Sequence, residues 1–231
     1  MVQEAMLARP EVLSIKQQAR RDAILEVAQR HFIRDGYVGT SLSAIAAEAG
    51  GSKSTFWSFF ASKEELFAAS VKKIIEEQVP VIEIDDKLPL EQALREYGFT
   101  FLCNVLSPSV VAIYRLLISE APRFPALSQE VWEEGPGRRQ EAIARFFATK
   151  IAKGAIRAVD PIMLAAQFHQ LCQFRLMMRH LWRAPADITE EAIRADSDAS
   201  VDLFLFGCLN DVNDARRSEL TLISKRPMQH N

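Results

Sequence analysis

The chain has 231 residues, 48% of them hydrophobic and 25% charged, enough to bury a sizeable core in one large or two modest domains. No apolar run is long enough to span a bilayer and the first fifteen residues lack a continuous apolar stretch, so neither a membrane span nor a signal peptide is expected. Three scattered cysteines (Cys103, Cys172, Cys208), with no C-x-x-C pair, suit reduced thiols better than a disulfide framework, and a net charge of −2 speaks against nucleic acid, although residues 1–63 hold eight Lys and Arg against six Asp and Glu.

Residues 1–14 read as a frayed arm. A first helix is predicted from Ser14 to Asp35, because Ile24, Val27, Ala28, His31 and Phe32 recur at helical spacing, with Gly36 as its stop. His31 lies on that apolar stripe and reads as a satisfied core histidine. Arg20 and Arg21, on the more polar early turns, either reach toward phosphate or are simply solvated.

Next come two short helices joined by a tight turn. Thr40 or Ser41 caps the first, and Leu42, Ile45, Ala46 and Ala49 form its apolar stripe. Gly50-Gly51 stops it, since glycine takes the left-handed conformation without steric cost. Ser52 caps the second helix, Ser52 to Phe60, with Phe56 and Phe60 on one face and Lys53, Ser54, Thr55, Trp57 and Ser58 on the other. A buried helix, a glycine turn and a second helix with a small polar face describe a helix-turn-helix sized for the DNA major groove.

Ser62-x-x-Glu65 has the form of a capping box and opens a helix over Leu66 to Val79, ended by Pro80, with Phe67, Val71, Ile74, Ile75 and Gln78 inward. Pro80–Leu88 reads as a connection, because its Val-Ile-Glu-Ile has no second strand to pair with. Further helices are predicted at Pro89–Leu106, Ser109–Glu120, Ala126–Glu134, Pro136–Lys153, Pro161–Trp182 and Thr189–Asn210. Breaks are expected at Ser107-Pro108, Ala121–Pro125 and Gly135-Pro136-Gly137, and caps at Asp160-Pro161 and Asp187-x-x-Glu190. Residues 211–231 read as a mobile tail.

The run from Ile45 to Phe67 (IAAEAGGSKSTFWSFFASKEELF) closely resembles the N-terminal domain of the TetR family of bacterial transcription regulators, over about residues 15–70. The segment Ser119–Arg138 (SEAPRFPALSQEVWEEGPGR) resembles the C-terminal domain of the AefR-like branch of that family. The resemblance implies an all-α protein: an N-terminal three-helix helix-turn-helix domain (15–65, with 40–60 the motif itself), then a helical ligand-binding and dimerisation bundle (66–210). By position, Lys53, Ser54 and Thr55 enter the groove, Lys63 holds phosphate, and Thr40 and Ser41 present hydroxyls to the DNA backbone. Three residues depart from the family pattern, one of them Gly51, which stands where a small aliphatic residue usually packs and so loosens the turn. Trp57 and Phe59 stand where tyrosines are usual, so Trp57 keeps one donor and Phe59 none, and apolar contact replaces a hydroxyl–phosphate bond.

The helix Pro161–Trp182 is apolar nearly all round, with Leu164, Phe168, Leu171, Arg175, Met178 and Trp182 on one stripe. Thr189–Asn210, with Val201, Leu203, Phe204, Leu205 and Phe206, also exceeds one face. A subunit interface is expected there, as in the four-helix dimer bundle of the resembled family. Arg175 reads either as an interfacial ion pair or, with His169 and Cys172, as a pocket residue for an otherwise apolar effector. Phe101, Tyr114, Leu117, Trp132 and Phe147 complete the candidate effector pocket and are core residues by default. Cys103 sits among apolar neighbours and reads as an inert thiol. No metal-ligand spacing, nucleophile elbow or phosphate loop occurs, so neither enzyme activity, a metal nor a cofactor is expected.

With these features, the resemblance implies a cytoplasmic bacterial regulator, expected to be a homodimeric, ligand-responsive repressor. Its partners are a pseudo-palindromic double-stranded DNA operator and a small, largely apolar effector, with no membrane role. The alternative is a small-molecule carrier or enzyme that retains a degenerate helix-turn-helix.

Overall fold

Helix boundaries in the computed structural model follow local backbone chemistry. The structure describes residues 14–50, 56–185 and 188–208. Among them run α1 (Ile15–Gly39), α2 (Leu42–Glu48), α3 (Lys63–Gln78), α4 (Leu90–Val105), α5 (Pro108–Glu120), α6 (Pro125–Trp132), α7 (Arg138–Ala152), α8 (Pro161–Leu181) and α9 (Glu190–Cys208). No strand occurs among the described residues. The readings of the N-terminal arm, of Gly51 to Thr55, of Asp187 and of the tail fall outside them.

Ser14 starts α1 through a reciprocal capping box with Gln17. Gly36, at φ 69°, breaks α1 where a side chain would be strained, and one further turn carries Tyr37 back onto the domain. Ser41 caps α2, its hydroxyl accepting from Ala44 N–H, and Gly50 at φ +73° ends it. At α3 the Ser62 hydroxyl accepts from Glu65 N–H at 3.1 Å, while the Glu65 carboxylate takes the Ala61 N–H at 2.7 Å. The helix therefore opens at Lys63, a turn earlier than its apolar stripe suggests. Asp160 caps α8 through Ile162 N–H, with Pro161 in the first turn. Thr189 caps α9 through Ala192 N–H.

One expected break is absent. Gly135-Pro136-Gly137 lies inside a π-helical turn, Glu133–Gly137, that joins α6 to α7. Gly137 takes ordinary helical angles, and Arg138 N–H bonds back to Glu133 O, one residue beyond the α-helical partner. The wide turn tolerates a proline that a regular helix interior would reject.

The described residues divide into two compact units, one within Met1–Glu77 and Arg115–Val131, the other within Gln78–Tyr114 and Trp132–Asn231. In the first, Phe32, Tyr37, Phe67 and Phe124 cluster, the pairs Phe32–Phe67, Tyr37–Phe67 and Tyr37–Phe124 edge to face and the last with centroids 4.8 Å apart. In the second, α4, α7, α8 and α9 surround a core that includes Leu94, Phe101, Phe147, Phe168, Val201 and Phe204. Helices α4 and α9 approach so closely at Gly98 that a Cβ there would lie 2.7 Å from Ser197 Oγ. Residues 81–85 are irregular, with Ile82 and Ile84 packed on this core. Among the described residues no single helix is long and apolar enough to cross a membrane.

Candidate nucleic-acid interface

Helix α2 is held at its C-terminal end. Its Glu48 carboxylate accepts from Arg30 Nη2 at 2.7 Å and lies 2.8 Å from His31 Nε2, and these two partners hold its pKa below the usual carboxylate value. At the adjoining C-cap, Arg20 Nη1 donates to Ala49 O at 2.6 Å. His31 is thus a paired, buried residue, and Arg20 spends a donor on the end of α2. Arg21 lies over the Phe60 ring, 5.3 Å from its centroid.

After the turn, Phe56 and Phe60 are buried against one another with centroids 5.9 Å apart, as their spacing predicts. Their burial turns Trp57 outward: its ring meets Phe56 edge-on at 5.2 Å yet stays 47% exposed. Phe59 is half-buried. Lys53, Ser54 and Thr55 lie outside the described residues.

The flanking candidates are more committed than their sequence suggests. Thr40 is 4% exposed and its hydroxyl donates to Gly36 O at 2.7 Å, so it ties the α1–α2 junction instead of facing outward. Ser41 is exposed; its oxygen caps α2 and its own O–H is left to donate. Lys63 Nζ donates to Thr40 O at 2.6 Å and Val38 O at 3.3 Å and sits 4.8 Å over the Tyr37 ring. Two of its three donors therefore hold the backbone ahead of α2. Burial, and then Glu64, which accepts the Tyr37 hydroxyl at 2.5 Å, push the Tyr37 pKa up to about 12.

The candidate effector residues separate. Phe101, Phe147, His169 and Cys172 are buried in the second unit's core, with Tyr114 half-buried against it. His169 Nε2 lies 2.8 Å from the Tyr97 hydroxyl, and its ring stacks on Phe101 at 4.4 Å. Burial, reinforced by the charge of Arg139, lowers the His169 pKa to about 4, so the ring is neutral at ordinary pH. Burial likewise raises the Cys172 thiol to about 12. Trp132 and Arg175 are elsewhere: Trp132 is exposed, and Arg175, 62% exposed, pairs with Asp196 at 2.5 Å. The exposed end of a long side chain on α8 is satisfied on the surface and does not enter the core. Leu117 is half-buried on α5.

Arg139 is a charged residue that does enter this core. It shares the inner stripe of α7 with Ile143, Phe146, Phe147 and Lys150, a period legible in the sequence once a charge is allowed on an apolar face. Its Nη1 donates to Asn104 Oδ1 at 2.8 Å and the Tyr114 hydroxyl also engages it. Among the described residues no three His, Cys, Asp or Glu side chains gather as a metal site.

Comparisons with known proteins bear on both units. Residues 24–70 match the family model described as bacterial regulatory proteins, tetR family. Residues 92–207 match the model described as AefR-like transcriptional repressor, C-terminal domain. The HTH-type transcriptional regulator YhgD of Bacillus subtilis is 24% identical over 152 residues, 63% of this chain and 76% of that one. Among solved structures, the flavonoid-responsive regulator FrrA is 30% identical with a TM-score of 0.71, over 84% of this chain and 100% of that one. A TetR-family regulator from Mesorhizobium loti is 24% identical with a TM-score of 0.72, over 85% of this chain and 100% of that one, and shows the same fold.

Proposed function

Because the chain belongs to the TetR family of bacterial transcription regulators and carries an AefR-like C-terminal domain, we propose that this DNA-binding regulator is a ligand-responsive repressor. It acts as a homodimer on a pseudo-palindromic operator. The observation that carries the dimer is the outer surface of α8 and α9. Met163, Phe174 and Leu203 are each more than half exposed, as is Trp182 at the end of α8. Large apolar side chains concentrated on two helices mark an interaction surface, and one helix-turn-helix per protomer needs a second copy to read a palindrome.

We assign residues 15–65 to DNA binding and 66–210 to effector binding and dimerisation. Lys53, Ser54 and Thr55 enter the major groove. Trp57 and Phe59 supply apolar contact to sugar or thymine methyl, and Ser41 and the remaining donor of Lys63 reach phosphate, with Thr40 holding the junction. The recognition helices of the two protomers then sit roughly 34–36 Å apart. Effector binding in the second domain changes that separation through α3, whose last residue is already engaged there: Asn104 Nδ2 donates to Gln78 O at 3.0 Å and Ser109 Oγ to Gln78 Oε1 at 2.9 Å. The core aromatic residues Phe101 and Phe147 with Tyr114 packed against them, and the flavonoid response of a relative 30% identical, support an aromatic effector. A regulator of this kind performs no catalysis.

An electrophoretic shift with promoter DNA from the protein's own locus tests this reading. Wild type binds specifically, with affinity that falls steeply as salt rises. Lys53→Ala with Thr55→Ala weakens specific binding by at least about tenfold, as expected for losing a phosphate or base contact. Unchanged binding overturns the site assignment.

A further inference from the structure

Arg139 is 2% exposed, yet among the described residues no carboxylate pairs with it. The groups whose charge it feels are the hydroxyls of Tyr114 and Tyr97, both pushed by burial to stay neutral. Phe101 lies under the guanidinium, 5.4 Å from centroid to Cζ, and Asn104 accepts from Nη1. Nε is buried and has no hydrogen-bond partner among the described residues. A buried cation without a counter-ion is costly, because the interior returns little of the hydration it gives up. Nε also belongs to the side edge of the guanidinium, one of the two forks that meet a carboxylate with parallel N–H bonds. Around it stand Tyr97, Phe101 and the neutral His169, stacked ring on ring.

Resting on the ligand-responsive reading above, we propose that this cluster is the effector's recognition site and that its ligand is a small aromatic carboxylate. The carboxylate pairs with the Nε edge of Arg139, and the ring system packs against Phe101 and its neighbours. The π turn before α7 supports the placement: one extra residue in the turn rotates the face of α7 by about 100°, which sets Arg139 on the buried stripe. Asn104 gives the site a route to α3, since its Oδ1 holds Arg139 while its Nδ2 holds Gln78 O, the last carbonyl of that helix. A ligand that draws the guanidinium away from Asn104 loosens the same amide that anchors α3.

Titration calorimetry with 2-naphthoate and with its uncharged analogue 2-naphthamide tests the proposal on the full-length protein. Wild type is expected to prefer the carboxylate by about tenfold to a hundredfold, the range of a charge-assisted bond to a buried group. Arg139→Gln loses that preference. Arg139→Lys, which keeps the charge without the planar fork, retains only part of it and guards against a folding defect in the first variant. Equal affinity for both probes, a preference that survives in Arg139→Gln, or no naphthoate binding to wild type at millimolar concentration overturns the proposal. The two readings fail separately. Operator release by naphthamide alone leaves a ligand-responsive repressor without an anion anchor, whereas naphthoate bound through Arg139 with no change in operator affinity removes the ligand response and keeps the site.

Discussion

His169 shows how a residue's surroundings, more than its identity, decide its chemistry. Surrounded by Phe101, Tyr97 and Phe168 and facing the charge of Arg139, it holds its proton only below about pH 4, against 6.5 for a free imidazole. Between those values the unfolded chain takes up a proton that the folded chain refuses. Stability is therefore full above pH 6.5 and falls as pH drops toward 4, by up to about 1.4 kcal/mol per pH unit. Urea midpoints measured across that window should fall in wild type and stay flatter in His169→Gln, which bonds Tyr97 without titrating. Identical pH profiles would contradict the assigned burial. The neighbouring Arg139 carries the complementary lesson: like Arg175 it stands on an apolar stripe in the sequence, yet Arg139 is buried whereas Arg175 is exposed and paired with Asp196.

At the scale of elements, the tightest constraint is the crossing of α4 and α9. Gly98 leaves room for Ser197, whose buried hydroxyl has no partner among the described residues. Gly98→Ala places a methyl against that oxygen and should cost about 1–3 kcal/mol, the usual range for overpacking. Ser197→Ala removes the obstructing, unpaired hydroxyl and should be neutral or stabilising. The double variant should then recover most of the loss, a coupling that thermal denaturation of the four proteins measures directly. The π turn at Glu133–Gly137 belongs to this scale too. Two glycines and a proline read as a break, and the chain instead widens the helix and continues it, with Arg138 N–H reaching back to Glu133 O.

For the whole molecule, the apolar side chains on α8 and α9 are the decisive feature. Phe174 at 63% and Leu203 at 67% exposure have no place in the monomer's own core. If they form the dimer surface, Phe174→Glu with Leu203→Glu should yield a monomer with an unchanged helical circular dichroism spectrum and much weaker operator binding. Light scattering after gel filtration distinguishes this from a variant that stays dimeric, which would move the interface elsewhere.

Much of this protein was legible as sequence. Capping by Ser41 and Asp160, the stops at Gly36 and Gly50, the paired burial of Phe56 and Phe60 and the family motif depend on residues within one or two turns of each other. Such signals survive without knowledge of the rest of the chain. Tertiary packing alone sets which polar groups are spent and which are left over. Thr40 and Lys63 turn toward nearby backbone carbonyls, Arg175 reaches Asp196, and Arg139 is carried into the core with one nitrogen unpaired. A hydrogen bond across the fold depends on where a distant helix happens to lie, and no local periodicity encodes that distance.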